Sequence, residues 1–175
     1  MEIRLQGQLI AQDYIDAQYL HAGWRLPVRA FGISLLAGAL LLLIDPNNTV
    51  FWIALLPFIG ILTGILILVI RHILARRSRK TFAQQKTLHL EVEKQIDEDG
   101  IFSRVPVRGE WKSQWPDFHK WKANEKLVLI YASDRIFYMF PRRWFASDAE
   151  FESFQELLAR KIGPINKARK DPSAG

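Results

Sequence analysis

No cysteine occurs among the 175 residues. That excludes disulfides, thiolate metal sites, c-type haem and a cysteine nucleophile, and it suits a reducing compartment. Charge is scarce in one long stretch: residues 30–70 carry Asp45 alone. The chain also lacks Gly-x-Ser-x-Gly, a Gly-rich phosphate loop and His-Glu-x-x-His, the motifs of common hydrolases and nucleotide enzymes. Its histidines, His21, His72, His89 and His119, are scattered without metal-ligand spacing. The acidic run Asp97-Glu98-Asp99-Gly100 fails as a calcium loop, because the bidentate position would fall on Pro106. It reads as a solvated hairpin turn. No catalytic residue, metal site or cofactor is expected.

What the chain does have is two long apolar runs, Ala30 to Ile44 and Val50 to Ile70, joined by Asp45-Pro46-Asn47-Asn48-Thr49. From Pro46 to Ile70 there are 25 residues without an ionisable group, more than the roughly 20 that cross a bilayer. Pro57 should bend that helix, a break that membrane helices tolerate. The first run is long enough if it starts near Trp24, with Arg25 and Arg29 reaching back to headgroups. Trp24 and Trp52 then anchor opposite interfaces. A soluble helix needs a polar face, and Val50 to Ile70 has none. The expectation is a two-helix transmembrane hairpin.

Charge sets its orientation. Arg71, Arg76, Arg77, Arg79 and Lys80 follow the second run and hold +5 of the net +6. With Arg25 and Arg29 at the entry and only Asp45 in the turn, both ends are expected on the inner side. The five cations are read as membrane-surface contacts to anionic headgroups, each adding about 1 kcal/mol. Gly60 and Gly64, like Ser34 and Gly38, form small-xxx-small pairs that suit close packing of the hairpin, with homodimerisation through the same faces as the alternative. The opening Met1-Glu2-Ile3-Arg4 is polar, unlike a cleaved signal.

Outside the hairpin the period changes to two. Ile3 and Leu5 alternate with polar residues as in a half-buried strand, and Asp13 to Ala22 reads as a short helix with Tyr14, Ile15, Tyr19 and Leu20 on one side. A lone strand is unstable in water, so the first strand is expected to join the downstream sheet. Leu88, Leu90 and Val92 alternate into a strand ending at Asp97, and Ile101 to Val107 returns as a hairpin. Further strands are expected near Gly109 to Trp115, Phe118 to Lys122, Leu127 to Tyr131 and Ile136 to Phe140. Trp115-Pro116 implies a bulge or an edge. Ser147 with Glu150 makes a capping box for a helix striped by Phe151, Phe154, Leu157 and Leu158 and stopped by Gly163-Pro164. The fold class expected is an α+β membrane protein, its small antiparallel sheet, a curved sheet or a small barrel, closed by a C-terminal helix. The segments are 1–23 (strand and short helix), 24–70 (hairpin), 71–85 (basic juxtamembrane helix), 86–163 (α+β domain) and 164–175 (disordered tail).

Aromatic and basic residues interleave from Trp111 to Trp121 and at Arg142-Arg143-Trp144. Trp111, Trp115 and Phe118 read as core mass with the lysines facing water, while Arg142, Arg143 and Trp144 are candidates for surface or partner contact. Residues 81–175 carry 16 Lys/Arg against 14 Asp/Glu, too even a balance for a nucleic-acid footprint.

The run Leu127-Val128-Leu129-Ile130-Tyr131, then Phe137-Tyr138-Met139-Phe140-Pro141-Arg142-Arg143-Trp144-Phe145 and a capped helix, resembles the YcxB-like family of bacterial membrane proteins. The likeness extends over most of residues 2–162 and rests on fold pattern, not on chemistry. Trp115-Pro116 departs from it, because members commonly run an unbroken strand there. The resemblance implies a domain distantly similar to bacterial pleckstrin-homology-like domains, in the bacterial inner membrane. The residues read as a whole lead to the expectation of a non-catalytic, membrane-tethered binding or scaffolding module, with lipid headgroups or a protein as partner and a sheet edge for an extended peptide. A regulatory or sensory subunit and a lipid-acting enzyme are the alternatives.

Overall fold

Alternating residues at the N-terminus and again after residue 90 form strands that meet across a long helical excursion. The computed structural model describes residues 2–23, 25–42, 49–106 and 108–165. The order is strand β1 (Ile3–Gln8), then helices α1 (Ala11–Ala22), α2 (Arg25–Leu42) and α3 (Thr49–Gln84). Strands β2 (Glu91–Ile96), β3 (Gly100–Val105), β4 (Gly109–Gln114), β5 (Lys120–Ala123), β6 (Leu127–Tyr131) and β7 (Phe137–Pro141) follow, then helix α4 (Asp148–Lys161). The expectations for Trp24, for the turn from Asp45 to Asn48 and for the tail beyond Ile165 fall outside the described residues, as do the side chains of Arg25, Arg29 and Trp52 and the surroundings of Gly38. Two units result: Met1–His21 with Ser78–Gly175, and Ala22–Arg77.

In the first unit β1 pairs antiparallel with β2, setting Ile3 against Ile96 and Leu5 against Lys94. A four-stranded sheet follows in the order β1-β2-β3-β4, and a separate three-stranded sheet in the order β5-β6-β7. The single sheet expected from the sequence is thus two. The break falls at a 3-10 turn, Trp115–Asp117, where Pro116 has no N–H for a ladder. The Gln114 N–H donates to Asp117 Oδ2 at 2.8 Å and the Trp115 indole N–H to the Asp97 carbonyl at 3.2 Å. A second difference lies upstream, where Lys86–His89 forms a 3-10 turn instead of strand. The His89 ring packs on Phe82 at 4.4 Å with Nε2 3.0 Å from the Phe82 carbonyl, which ties the segment to the last turn of α3.

The core gathers between the sheets and α4. Ile3, Ile96 and Ile101 join Trp121, Val128, Ile130 and Phe140, closed by Phe151, Phe154, Leu157 and Leu158 of α4. The Ser147 hydroxyl caps α4 by accepting from the Glu150 N–H at 3.2 Å, and the Glu150 carboxylate accepts from the Ala146 N–H at 2.7 Å. Gly163, at φ 113°, ends it in a conformation costly for side chains. On the other side of β6, Leu127, Leu129 and Tyr131 meet Ala17 of α1. Covered on both faces, β6 is buried at every position, as a central strand between two layers should be. Trp115 and Phe118 are core residues as expected, but Trp111 is 40% exposed. Its strand is an edge with exposed positions on both faces.

The second unit contains α2 and most of α3, which runs on through Pro57. Ser34 is buried, donates to the Ala30 carbonyl at 3.1 Å and accepts from the Thr63 hydroxyl at 2.6 Å, linking the two helices. Large apolar side chains point outward along α3: Phe58 is 66% exposed and Leu68 68%. Among the described residues one segment, Pro57–Gln84, is long and apolar enough to cross a membrane. A Cβ at Gly60 or Gly64 would meet nothing within 4 Å, and the hydroxyl of Thr63, between them in sequence, reaches Ser34 of α2.

Candidate functional site

The basic end of α3 is the first candidate. Arg71, Arg76, Arg77, Arg79 and Lys80 all lie on this helix and all are exposed, whereas Ser78 and Phe82 are buried. At 100° per residue Ser78 and Phe82 share a face, and Arg76, Arg77 and Lys80 spread over the opposite one. Phe82 holds the buried side against Tyr14, ring to ring at 6.1 Å. Arg79 and Lys80 are exposed in the same unit as Phe82, and Arg71, Arg76 and Arg77 are exposed in the other.

The segment Arg142-Arg143-Trp144 behaves otherwise. It forms a 3-10 turn between β7 and α4, beside a hollow of about 580 Å³. Trp144 is 9% exposed and belongs to the core, so it offers no surface contact. It stacks over Gly7, where a Cβ would overlap its indole, so β1 needs glycine at that position. Arg143 forks onto Asp13 at 2.6 and 3.3 Å and donates to the Gln8 carbonyl at 2.6 Å. Arg142 pairs with Asp148 at 2.7 Å, and Lys126 with Asp16 at 3.3 Å. Burial pushes the Asp13 carboxyl above its ordinary pKa, against the pull of the Ile10 N–H and Arg143. Each cation of this hollow already faces an acid, and the two arginines brace the turn against α1 and α4.

A second hollow, about 430 Å³, lies on the outer face of the four-stranded sheet. Arg4, Gln6, Glu93, Gln95 and Arg104 surround Phe102 there, and Arg104 pairs with Glu110 at 3.1 Å. On the three-stranded sheet, fully buried Tyr131 is ringed by polar groups. His21 Nδ1 is 3.1 Å from its hydroxyl, and the Lys120 ammonium stands 5.0 Å from its ring centre. Lys120 is also ion-paired with Asp134, which it holds below the usual carboxylate range together with His119. Lys122 donates to the Leu20 and His21 carbonyls at the end of α1, so neither lysine simply faces water.

Sequence reasoning missed Lys94. It sits at an inward position of β2, 7% exposed, with its ammonium 4.0 Å from the centre of the Phe140 ring. Burial lowers its pKa to about 7. The available signal was the alternation Val92, Lys94, Ile96, which puts the lysine on the apolar face.

Residues 96–158 match the family model described as YcxB-like protein. They form a YcxB-like domain. No curated protein and no solved structure matches the chain. The YcxB-like domain starts at the last residue of β2, takes in β3 to β7 and the Arg142–Trp144 turn, and ends at Leu158 of α4. It includes the core stripe of α4 and Trp144, but not β1, to which Trp144 is packed through Gly7. The match thus covers less than the resemblance over residues 2–162 suggests.

Proposed function

We propose that the chain is a non-catalytic binding or scaffolding module tethered to the bacterial inner membrane. In this reading α2 and α3 form a two-helix hairpin with both ends in the cytoplasm, and the sheet unit is a pleckstrin-homology-like domain. The carrying observation is α3 itself: outward apolar side chains such as Phe58 and Leu68 lead along one helix into exposed Arg71, Arg76, Arg77, Arg79 and Lys80. Lipid solvates such an apolar surface, and anionic headgroups complement the cations that follow. Four strands, then three, then a closing helix support the pleckstrin-homology likeness. The pairing of acids with bases beside Arg142 and Arg143 favours a bracing role over proton transfer. Topology is the test. A reporter active only outside the cytoplasm, fused at Asn47, should be active in cells, and its inactivity beside an active cytosolic reporter at the same site would overturn the reading.

A further inference from the structure

Strand β4 is the edge of the four-stranded sheet, with β3 as its strand neighbour. Such an edge presents unpaired N–H and C=O groups and recruits another strand unless it is blocked. The opposite edge, β1, is approached by Trp144 over Gly7. On β4, Glu110, Trp111, Lys112 and Gln114 are all exposed.

We propose that β4 is the seam at which two copies of this chain join their sheets, antiparallel and centred on Trp111. The order Gly109-Glu110-Trp111-Lys112-Ser113 is complementary to itself when reversed. Opposed residues must share a face of the joined sheet, so a twofold axis has to pass through a residue. Centred on Trp111, the pairing sets Glu110 of each copy against Lys112 of the other and the two indoles against each other. Centred on Glu110 or on Lys112, it opposes like charges, which is unfavourable.

The flanking charges extend the fit. Within one copy Lys112 lies 3.7 Å from Asp99 and Glu110 lies 3.1 Å from Arg104. Joined copies therefore carry an alternating row, Asp99, Lys112, Glu110 and Arg104, twice across the outer face. On the other face Trp111, opposite Ser103 within its own sheet, finds an aromatic neighbour. A lysine on an edge ordinarily repels a neighbouring strand, but in this register it meets an acid.

This inference deepens the binding-module reading by naming the occupant of a sheet edge, and its test is independent of membrane topology. The full chain is purified in lipid nanodiscs or detergent, and its mass is measured by light scattering. The wild-type chain should be dimeric. Glu110→Lys alone and Lys112→Glu alone should each weaken dimerisation by about tenfold or more, since two attractive cross-strand pairs become repulsive. Mixing these two variants should restore the dimer, because every opposed pair is then attractive, and that recovery also shows that both fold. In the thiol-free chain, Trp111→Cys should oxidise to a linked dimer, whereas Glu152→Cys on exposed α4 should not. A monomeric wild-type chain, which would leave the edge to an extended peptide from another protein, overturns the proposal. So do single variants that dimerise like wild type, or a mixture that stays monomeric.

Discussion

The two units put the same kind of residue to opposite uses. In the sheet unit Phe140, Phe154, Leu157 and Leu158 are fully buried, while in Ala22–Arg77 Phe58, Ile61, Leu62 and Leu68 are more than half exposed. One unit makes its own apolar interior and the other displays an apolar exterior. The polar residues mirror this: Ser34 and Thr63 turn inward between helices, whereas the outer face of the four-stranded sheet carries Arg4, Glu93 and Arg104. The lesson is that burial here follows the surrounding solvent, water around the sheets and, on the proposed reading, lipid around the helices.

The largest expected effect separates the two. Phe154→Ala should destabilise the sheet unit by about 3–5 kcal/mol through a cavity. Leu68→Ala should leave that unit's denaturant midpoint unmoved, as read by tryptophan fluorescence. Equal losses would mean that the two regions share one core.

Next is Lys94, the charged group on the wrong side of that comparison. Its folded pKa, about 7, lies below its unfolded value of 10.5, so folding disfavours the protonated form. The penalty is full below pH 7, shrinks as pH rises, and vanishes above the unfolded pKa. Lys94→Met should therefore stabilise the sheet unit at pH 7, by about 2–5 kcal/mol. The gain should diminish steadily toward pH 10.5 in denaturant titrations. A gain independent of pH would show that the ammonium is already solvated.

The smallest effect probes the helical unit. Ser34→Ala removes the hydroxyl that bridges α2 and α3 and should cost about 0.6 kcal/mol, measured as a shift in helix unfolding in detergent. The sheet unit should not respond.

Much of the sheet unit was legible because its patterns are local. The Asp97–Gly100 turn, the strands Leu127–Tyr131 and Phe137–Pro141, and the capped stripe of α4 each follow from neighbours within a few residues. What escaped depends on distant partners. Trp144 and Trp111 each stand next to a basic residue in the sequence, yet one is buried over Gly7 and the other stands on an edge. The division into two sheets turns on how Pro116 and Asp117 pull the chain out of the ladder. Lys94 is tolerated inside because its stem covers apolar surface and its ammonium finds the Phe140 ring, which lies 46 residues on. Of the candidate sites, the basic end of α3 could be read from composition. The bracing role of Arg142 and Arg143 could not, since their acids lie on α1 and α4.

The pairing of β1 with β2 has a consequence for biogenesis. A ribosome delivers Ile3–Gln8 early, yet the ladder partner Glu91–Ile96 emerges only after all three intervening helices have been synthesised. Until then the first strand has no ladder to complete, and closing so distant a contact is slow. The nascent edge must wait for its mate, so its ladder in the four-stranded sheet closes only once residue 96 has been made.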